Sequence, residues 1–441
     1  MFQRKIYAQM KAWKEKRQGR TALLVEGQRR VGKSTVVEAF ARNEYKSYIL
    51  LDFSAAAKEV RALFEDVSDL DYLFLQLQLR MGVRLFKRDS VVIFDEVQLC
   101  PLARQAIKAL VKDRRYDYIE TGSLLSIKKN VKDILIPSEE TRLSMYPMDF
   151  EEFLWAQGDT VTIPLLRDLY EKKRPAGEAH RKLMRSFRLY MLVGGMPQAV
   201  SAYRETKQFE DVDQIKREIL HLYEEDFHKI DGTGRLSQLF DAIPAQLNKK
   251  SSRYAVSGVL PHLRPGRSAN RISELLDSCT VLAAYQANEP SAGLSLTRDM
   301  KRFKLFLADT GLFVTLAFKD KAFTDNMIYQ KLLGDRLPAN LGYLYENVVA
   351  QVLTAAGHRL YYHTFHQLTT THSYEIDFLI ARESKICPLE IKSSGYKRHV
   401  SLDVFGQKYA RHIAEKYLIY TKDLQKEGEV LCLPVYMTPF L

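Results

Sequence analysis

Near its start the chain reads Gly27-Gln28-Arg29-Arg30-Val31-Gly32-Lys33-Ser34, and Thr35 follows. This is the G-x-x-x-x-G-K-S/T pattern, in which glycines let consecutive backbone N–H groups curl around the phosphates of a nucleotide. We predict that residues 27–35 bind ATP. In this interpretation Lys33 contacts the β- and γ-phosphates, and the Ser34 hydroxyl holds Mg²⁺.

The flanking sequence favours the same interpretation. The short apolar run Ala22–Glu26 reads as a strand that leads into the loop, and residues 35–42 have helical spacing. The loop is therefore expected at the N-terminus of a helix, where unpaired backbone N–H groups and the helix dipole favour anions.

A second motif ends the apolar run of residues 91–94, which reads as a strand buried on both faces. The acidic pair Asp95 and Glu96 follows it directly. We predict that Asp95 holds Mg²⁺ through water and that Glu96 is the catalytic base that polarises the attacking water. A buried strand that ends in an acid is common, but its distance from the loop in an alternating β/α chain favours the catalytic interpretation.

Two further polar positions are candidates for contact with the γ-phosphate. The segment Tyr116–Ser123 reads as a strand, and either Thr121 or Ser123 is expected to place a hydroxyl there, with an ordinary strand-end turn as the alternative. Arg142 is the second candidate, acting within its own chain or from a neighbouring subunit. A homo-oligomer is therefore left open.

Composition excludes several classes of protein. With 441 residues, of which 46% are hydrophobic, the chain is long enough for several domains with real cores. No apolar run approaches the roughly 18 residues that span a bilayer, so we expect no membrane partner. The basic N-terminus lacks the apolar segment of a secretory signal. The four cysteines are scattered, which favours a reducing, cytoplasmic location and disfavours a zinc site.

The positive charge suggests a polyanionic partner, with DNA as the first candidate, since the net charge is +12. No acidic residue lies between Asp241 and Glu274. The helix–helix–helix–strand–strand order predicted for this region suits a winged helix, whose third helix enters the major groove. Packing alone is the alternative role. The predicted phosphate contacts are Lys249, Lys250, Arg264, Arg267 and Arg271.

Near the C-terminus, Asp377, Glu390 and Lys392 form a D-x₁₂-E-x-K pattern, which is typical of metal-dependent nucleases. If strands 374–381 and 386–392 form a hairpin, Asp377 faces Glu390 with Cβ atoms about 5 Å apart. The two carboxylates are then expected to share Mg²⁺ or Mn²⁺, with Glu346 as a further carboxylate ligand and Lys392 acting on the water. A salt-bridge cluster, or a decayed nuclease fold kept for binding, is the alternative. Residues 319–341 are expected to form a linker.

The combined motifs resemble those of bacterial and archaeal AAA-type ATPases that carry a C-terminal domain of unknown function related to restriction-endonuclease folds. Beyond the phosphate loop, the matching residues are Ile93–Gln98, Thr121–Ser123, Tyr146–Phe153, Gly194–Pro197, Phe303–Leu312, Glu346-Asn347, Glu375–Phe378 and Leu389–Lys392. One departure is Thr141-Arg142, where the family has Gly-Arg, so the backbone freedom of glycine is lost.

The resemblance implies an α/β chain in several parts. The predicted segments are an AAA-type P-loop ATPase domain with a parallel sheet between helices (1–160), a helical extension (161–232), a winged-helix domain (233–318) and a restriction-endonuclease-like domain (319–441). We therefore expect an ATP-hydrolysing, DNA-binding protein with a metal-dependent nuclease domain. The alternative is a nucleotide-dependent switch or scaffold whose nuclease-like domain binds without cutting.

Overall fold

The computed structural model describes residues 1–122, 138–249, 251–261, 265–319, 326–334, 342–366, 373–396 and 398–441. The chain divides into two compact units. The first unit is Met1–Tyr146 with Asp277–Cys279, and the second unit is Pro147–Leu276 with Thr280–Leu441. This differs from the four segments predicted from the sequence.

The first unit is built on a parallel sheet, as expected. Its strands are β1 (Ala22–Glu26), β2 (Ser47–Asp52), β3 (Ser90–Asp95), β4 (Asp117–Gly122) and β5 (Glu140–Ser144). They lie in the order β2-β3-β4-β1-β5, and all four pairings are parallel. The described α-helices of this unit are Ile6–Arg17, Lys33–Glu44, Lys58–Ala62, Leu70–Met81 and Pro101–Asp113.

Alternate residues of β1 supply two separate hydrophobic clusters. Leu24 packs in one cluster with Phe94 and Ile107, while Leu23 packs in the other with Phe40. Successive side chains of a strand point to opposite faces, so β1 is covered on both sides. Burial on both faces explains why the strands read as nearly continuous apolar runs.

The second unit combines helices with an eight-stranded sheet. Its strands are β6 (Val281–Ala287), β7 (Arg298–Leu307), β8 (Tyr361–His366), β9 (Ser373–Arg382), β10 (Lys385–Lys392), β11 (Lys416–Tyr420), β12 (Gln425–Glu427) and β13 (Val430–Pro434). Its helices include Phe150–Ala156, Thr162–Glu171, His180–Val193, Pro197–Thr206, Phe209–Ile230, Arg235–Asp241, Ile243–Asn248, Val256–Val259, Pro265–Asp277, Thr310–Ala317, Asn326–Leu333, Gly342–Ala355 and Val400–Tyr409.

The two strands that were predicted to complete the winged helix are β6 and β7 of this larger sheet. Strands β6 and β7 pair antiparallel as a hairpin, and β6 also pairs parallel with β8. The sheet order is β12-β13-β11-β10-β9-β8-β6-β7. The boundary predicted between residues 318 and 319 therefore separates strands of one continuous sheet.

Two of the segments that carry the family resemblance, Gly194–Pro197 and Phe303–Leu312, contact each other inside the second unit. Asp309 caps the helix Thr310–Ala317 by accepting from the Leu312 N–H at 2.8 Å, and it also accepts from the Gly195 N–H at 2.6 Å. A Cβ atom on Gly195 would lie 2.1 Å from the Met148 carbonyl oxygen, so only glycine fits there. These motifs hold distant parts of the second unit together.

The structure describes only part of the predicted linker at 319–341, and that part is helical. This part contains the helix Asn326–Leu333, and Tyr329 of this helix is fully buried. The Lys216 ammonium donates to the Tyr329 hydroxyl at 2.8 Å, and that hydroxyl donates to Asp213 at 2.9 Å. Burial lowers the pKa of Lys216 to about 8. The segment is anchored by a buried polar cluster that no local pattern reveals.

Candidate functional sites

The phosphate loop joins β1 to the helix Lys33–Glu44, as predicted. The Lys33 ammonium donates to the carbonyl oxygens of Gly27 and Gln28 at 3.0 and 3.1 Å. Burial lowers the pKa of Lys33, and the Glu96 carboxylate opposes that shift. A Cβ atom on Gly27 would lie 2.3 Å from the Met145 carbonyl oxygen, which explains the glycine at the start of the loop.

The other loop positions differ in exposure. Arg29, Arg30 and Thr35 are exposed, and Arg30 has a positive φ of 67°. The buried members of the loop are Gly27, Gln28, Val31 and Lys33, while Gly32 and Ser34 are partly buried.

Arg4 holds the phosphate loop in place through hydrogen bonds to backbone carbonyls, a role that the sequence did not indicate. Its guanidinium donates to the Val31 carbonyl at 3.0 Å and to the Tyr146 carbonyl at 2.6 Å. Arg4 is only 7% exposed. Nothing distinguishes it in the sequence from the other basic residues of the N-terminal region, because its partners lie far along the chain.

The loop and the end of β3 meet at Ser34 and Asp95. The Ser34 hydroxyl donates to the Asp95 carboxylate at 2.8 Å, and the Thr121 hydroxyl donates to the same carboxylate oxygen. The Glu96 N–H donates to the Thr121 hydroxyl at 3.3 Å. Because β3 and β4 are adjacent and parallel, their carboxyl ends bring these residues together.

Glu96 is held in a defined position. Its backbone is left-handed, with a φ of 51°, and the Gln98 side-chain amide donates to its carboxylate. Gln98 was not singled out as a functional residue from the sequence. Of the two predicted hydroxyl candidates, Thr121 reaches this cluster, and Ser123 lies outside the described residues.

Arg142 lies on β5, at the edge of the sheet. Its side chain is 48% exposed, and its guanidinium donates to Glu140 at 2.7 Å. An exposed arginine on an edge strand is compatible with a role at the site of a neighbouring subunit. That role stays a prediction.

A buried ion cluster joins the helix Pro101–Asp113 to strands β4 and β5. Arg104, from the helix Pro101–Asp113, is 1% exposed and contacts Glu120 of β4 and Glu140 of β5, each at 2.8 Å. Burial raises the pKa of Glu120 to about 8, even though the Arg104 guanidinium lowers it. One guanidinium therefore contacts two carboxyl groups on the strands that flank β1.

The second unit contains a polar pocket of about 560 Å³. Its lining includes all four predicted nuclease residues. It also includes Lys304 and Glu375, which were not among the predicted site residues. Its charged lining residues are Lys304, Glu346, Glu375, Asp377, Glu390 and Lys392.

The predicted hairpin register is confirmed. Lys385 pairs with Arg382, and Leu389 pairs with Phe378, so the same register places Asp377 opposite Glu390. One Asp377 oxygen accepts from the Ile391 N–H at 2.7 Å. Both positions therefore lie where the sequence placed them.

The charged groups of the pocket are already paired with one another. Lys392 lies 3.1 Å from one Glu390 oxygen, while the other Glu390 oxygen is buried without a hydrogen-bond partner. Lys304, which the sequence did not indicate, donates to Glu375 and lies 3.8 Å from Glu346.

These pairings bear on the predicted metal. Burial lowers the pKa of Lys304, but the carboxylates of Glu346, Glu375 and Asp377 outweigh it and raise that pKa. Burial, and then the Glu346 carboxylate, raise the pKa of Asp377 well above its usual range. No three His, Cys, Asp or Glu side chains in the described ranges are arranged to hold a metal ion. As they stand, the residues therefore do not fit the predicted Mg²⁺ or Mn²⁺.

The predicted nucleic-acid contacts divide into three groups. Lys249 and Arg267 are exposed, as a phosphate contact requires. Arg271 is paired with Asp231 at 3.0 Å and with Glu274 at 2.6 Å, so we no longer expect it to contact phosphate. Lys250 and Arg264 lie outside the described residues.

No described helix is long and apolar enough to cross a membrane.

Three family models match successive parts of the chain. An AAA domain matches residues 19–154, a domain of unknown function (DUF8612) matches residues 184–322, and a second one (DUF4143) matches residues 341–437. No curated protein matches the chain.

Solved structures similar to the chain share little sequence with it. A Walker-type ATPase of Pyrococcus abyssi has a TM-score of 0.40 and 15% identity, over 72% of this chain and 96% of that one. The ORC1 protein of Aeropyrum pernix, solved in complex with DNA, has a TM-score of 0.30 and 13% identity, over 76% and 93%. The match of residues 19–154 to an AAA domain, together with the geometry around Ser34, assigns an AAA-type P-loop ATPase fold to the first unit.

Proposed function

We propose that this chain binds and hydrolyses ATP at the first unit. The observation that carries the proposal is the convergence of Ser34, Asp95 and Thr121, with Glu96 held beside them by Gln98. The phosphate loop would receive the phosphates at its backbone N–H groups and at the N-terminus of the helix Lys33–Glu44.

The residues of this site suit Mg²⁺. The Ser34 hydroxyl and the Asp95 carboxylate are oxygen ligands only 2.8 Å apart, and oxygen ligands are those that Mg²⁺ prefers. When bound, the ion would neutralise charge on the phosphates. Ser34 would hold it directly, and Asp95 would hold it through water.

Two side chains would act on the nucleotide and the water. Lys33 now donates to two loop carbonyls, and it would exchange these partners for the phosphates. Glu96 would orient the attacking water and accept its proton. Thr121 keeps Asp95 and the Glu96 backbone in place and lies where a strand-end hydroxyl can sense the γ-phosphate.

Replacing Lys33 tests nucleotide binding. Lys33→Ala should weaken ATP binding by about tenfold or more, because a hydrogen bond to a charged group contributes roughly 1.5–3 kcal/mol. Binding of a fluorescent ATP analogue measures the effect. Lys58→Ala, at an exposed lysine of the same unit, is the control and should bind like the wild type. Equal affinity in Lys33→Ala and Lys58→Ala would remove Lys33 from the phosphate site.

We further propose that the second unit binds DNA and that the chain works as a nucleotide-dependent switch. The supporting observation is that Lys249 and Arg267 are exposed within a stretch that carries no acidic residue. Two neighbours of Lys249 in this stretch, Asn248 and Ser251, also line the charged pocket. Positive charge therefore lies beside a site that resembles a nuclease site.

Salt dependence tests the DNA contacts. Lys249→Ala and Arg267→Ala should each reduce the slope of log affinity against log salt by roughly 0.9, because each removes a phosphate contact. Fluorescence anisotropy with duplex DNA at several salt concentrations measures the slope. The control is Lys426→Ala, at an exposed lysine of β12. An unchanged slope in the Lys249→Ala/Arg267→Ala double variant would favour the packing role.

The nuclease roles of Asp377, Glu390 and Lys392 stay predictions. The pairing of Lys304 with Glu346 and Glu375 favours the alternative, in which the nuclease-like domain binds without cutting. A role of Arg142 on the nucleotide of a neighbouring subunit, and with it a homo-oligomer, also stays a prediction.

A further inference from the structure

Lys304 is an unusual residue for its position. It lies on β7 between Phe303 and Leu305, both of which are buried, and it is itself only 6% exposed. A lysine in a buried apolar strand is rare unless a partner balances its charge. The groups around its ammonium must therefore account for the burial of this charged side chain.

The partners of Lys304 are the carboxylates of the pocket. Its ammonium donates to Glu375 of β9 and lies 3.8 Å from Glu346 of the helix Gly342–Ala355. It also lies 5.5 Å from the ring centre of Tyr362, whose face attracts a cation. Three different elements thus converge on one ammonium group.

The Lys304 ammonium and the carboxylates of the pocket stabilise one another. A buried ammonium costs several kcal/mol unless it is paired and hydrogen-bonded. Carboxylates that share one site repel one another unless a cation lies among them. Glu346, Glu375, Asp377 and Glu390 all line the pocket, and only Glu390 is paired with the other lysine, Lys392.

We propose that Lys304 is a resident cation that takes the place of a divalent metal in this pocket. A metal ion bound by Glu346 and Asp377 would have to displace the ammonium from Glu346 or remain close to it. Displacement would cost the buried ammonium one of its two carboxylate partners, and proximity would place two cations together in a buried site. The pocket therefore excludes Mg²⁺ and Mn²⁺ while Lys304 is present. This inference goes beyond ATP hydrolysis and does not depend on it.

Counting bound Mn²⁺ tests the proposal. The measurement is an electron paramagnetic resonance titration of the full-length, nucleotide-free protein. We expect Lys304→Met to bind one Mn²⁺ more than the wild type, and Lys304→Met/Asp377→Asn to lose that additional ion. The matched control is Lys301→Met, at an exposed lysine of the same strand, which should match the wild type. The first unit is identical in all variants, so any difference in stoichiometry belongs to the pocket.

Stability provides a second readout. Removing the ammonium leaves the carboxylates unbalanced, so Lys304→Met should melt at a lower temperature than the wild type. Mn²⁺ should restore part of the lost melting temperature, because an ion that binds only the folded state stabilises that state. Mn²⁺ should leave the melting temperature of Lys301→Met at its wild-type value.

Two results would overturn the proposal. One is a wild-type protein that loses a bound Mn²⁺ on Asp377→Asn, since the pocket would then hold a metal beside Lys304. The other is a folded Lys304→Met protein that gains no Mn²⁺. If Lys304→Met does not fold, the charge-balanced Lys304→Met/Glu375→Gln variant replaces it, with the same two outcomes. The comparison of wild type with Asp377→Asn requires no change at Lys304.

Discussion

Glu96→Gln should lower ATP turnover by about 10²–10⁴-fold, the range typical of a lost general base, while ATP binding is retained. Glutamine has the shape of glutamate, but its amide cannot accept the proton of the attacking water. The hydrogen bond between Ser34 and Asp95 does not involve Glu96, so the Mg²⁺ ligands stay in place. The expected protein therefore binds ATP and releases phosphate far more slowly than the wild type.

The measurement for Glu96→Gln combines steady-state phosphate release with binding of a fluorescent ATP analogue. Glu59→Gln, at an exposed glutamate of the same unit, serves as the control and should turn over like the wild type. Turnover in Glu96→Gln at the wild-type rate would show that another group activates the water.

Arg104→Met should destabilise the first unit by roughly 3–5 kcal/mol, the cost of removing one partner from a buried ion cluster. The guanidinium lies 2.8 Å from both Glu120 and Glu140, and all three side chains are at most 2% exposed. Methionine fills much of the same volume. The loss therefore reports the buried Glu120 and Glu140 carboxyl groups without the Arg104 guanidinium rather than a cavity.

Urea unfolding measures this change in the free energy of unfolding. Trp13 is buried in the first unit, so its fluorescence follows that unit in a Trp155→Phe background. Arg80→Met, at an exposed arginine, is the control and should change stability little. The Arg104→Met/Glu120→Leu/Glu140→Leu variant should recover most of the loss, because apolar replacement of a whole buried ion cluster is often neutral. A loss for Arg104→Met no larger than that of Arg80→Met would contradict the assigned role of the cluster.

The parts of the site that could be predicted from the sequence depend on local patterns. The phosphate loop and the Asp95–Glu96 pair each occupy a few consecutive residues between a strand and a helix, so their spacing defines their geometry. The β9–β10 register was also predictable, because a two-residue turn leaves little freedom in which residues face each other. The position of Asp377 opposite Glu390 follows from that turn.

The parts that could not be predicted depend on partners far apart in the chain. Lys304 meets Glu375, 71 residues later, and Arg271 meets Asp231, 40 residues earlier. A count of charges within one stretch cannot detect such pairs, so Arg271 was expected to be available for phosphate. The helix Asn326–Leu333 was missed for the same reason, because Tyr329 finds its buried partners on another helix.

The central claim is that the first unit hydrolyses ATP, and phosphate release by the full-length protein tests it most directly. The assay compares wild type and Lys33→Ala with ATP, in the presence of Mg²⁺ and after its removal by a chelator. We predict phosphate release by the wild type that requires Mg²⁺ and is lost in Lys33→Ala. Release that is equal in the two proteins, or absent from the wild type under all conditions, would contradict the account.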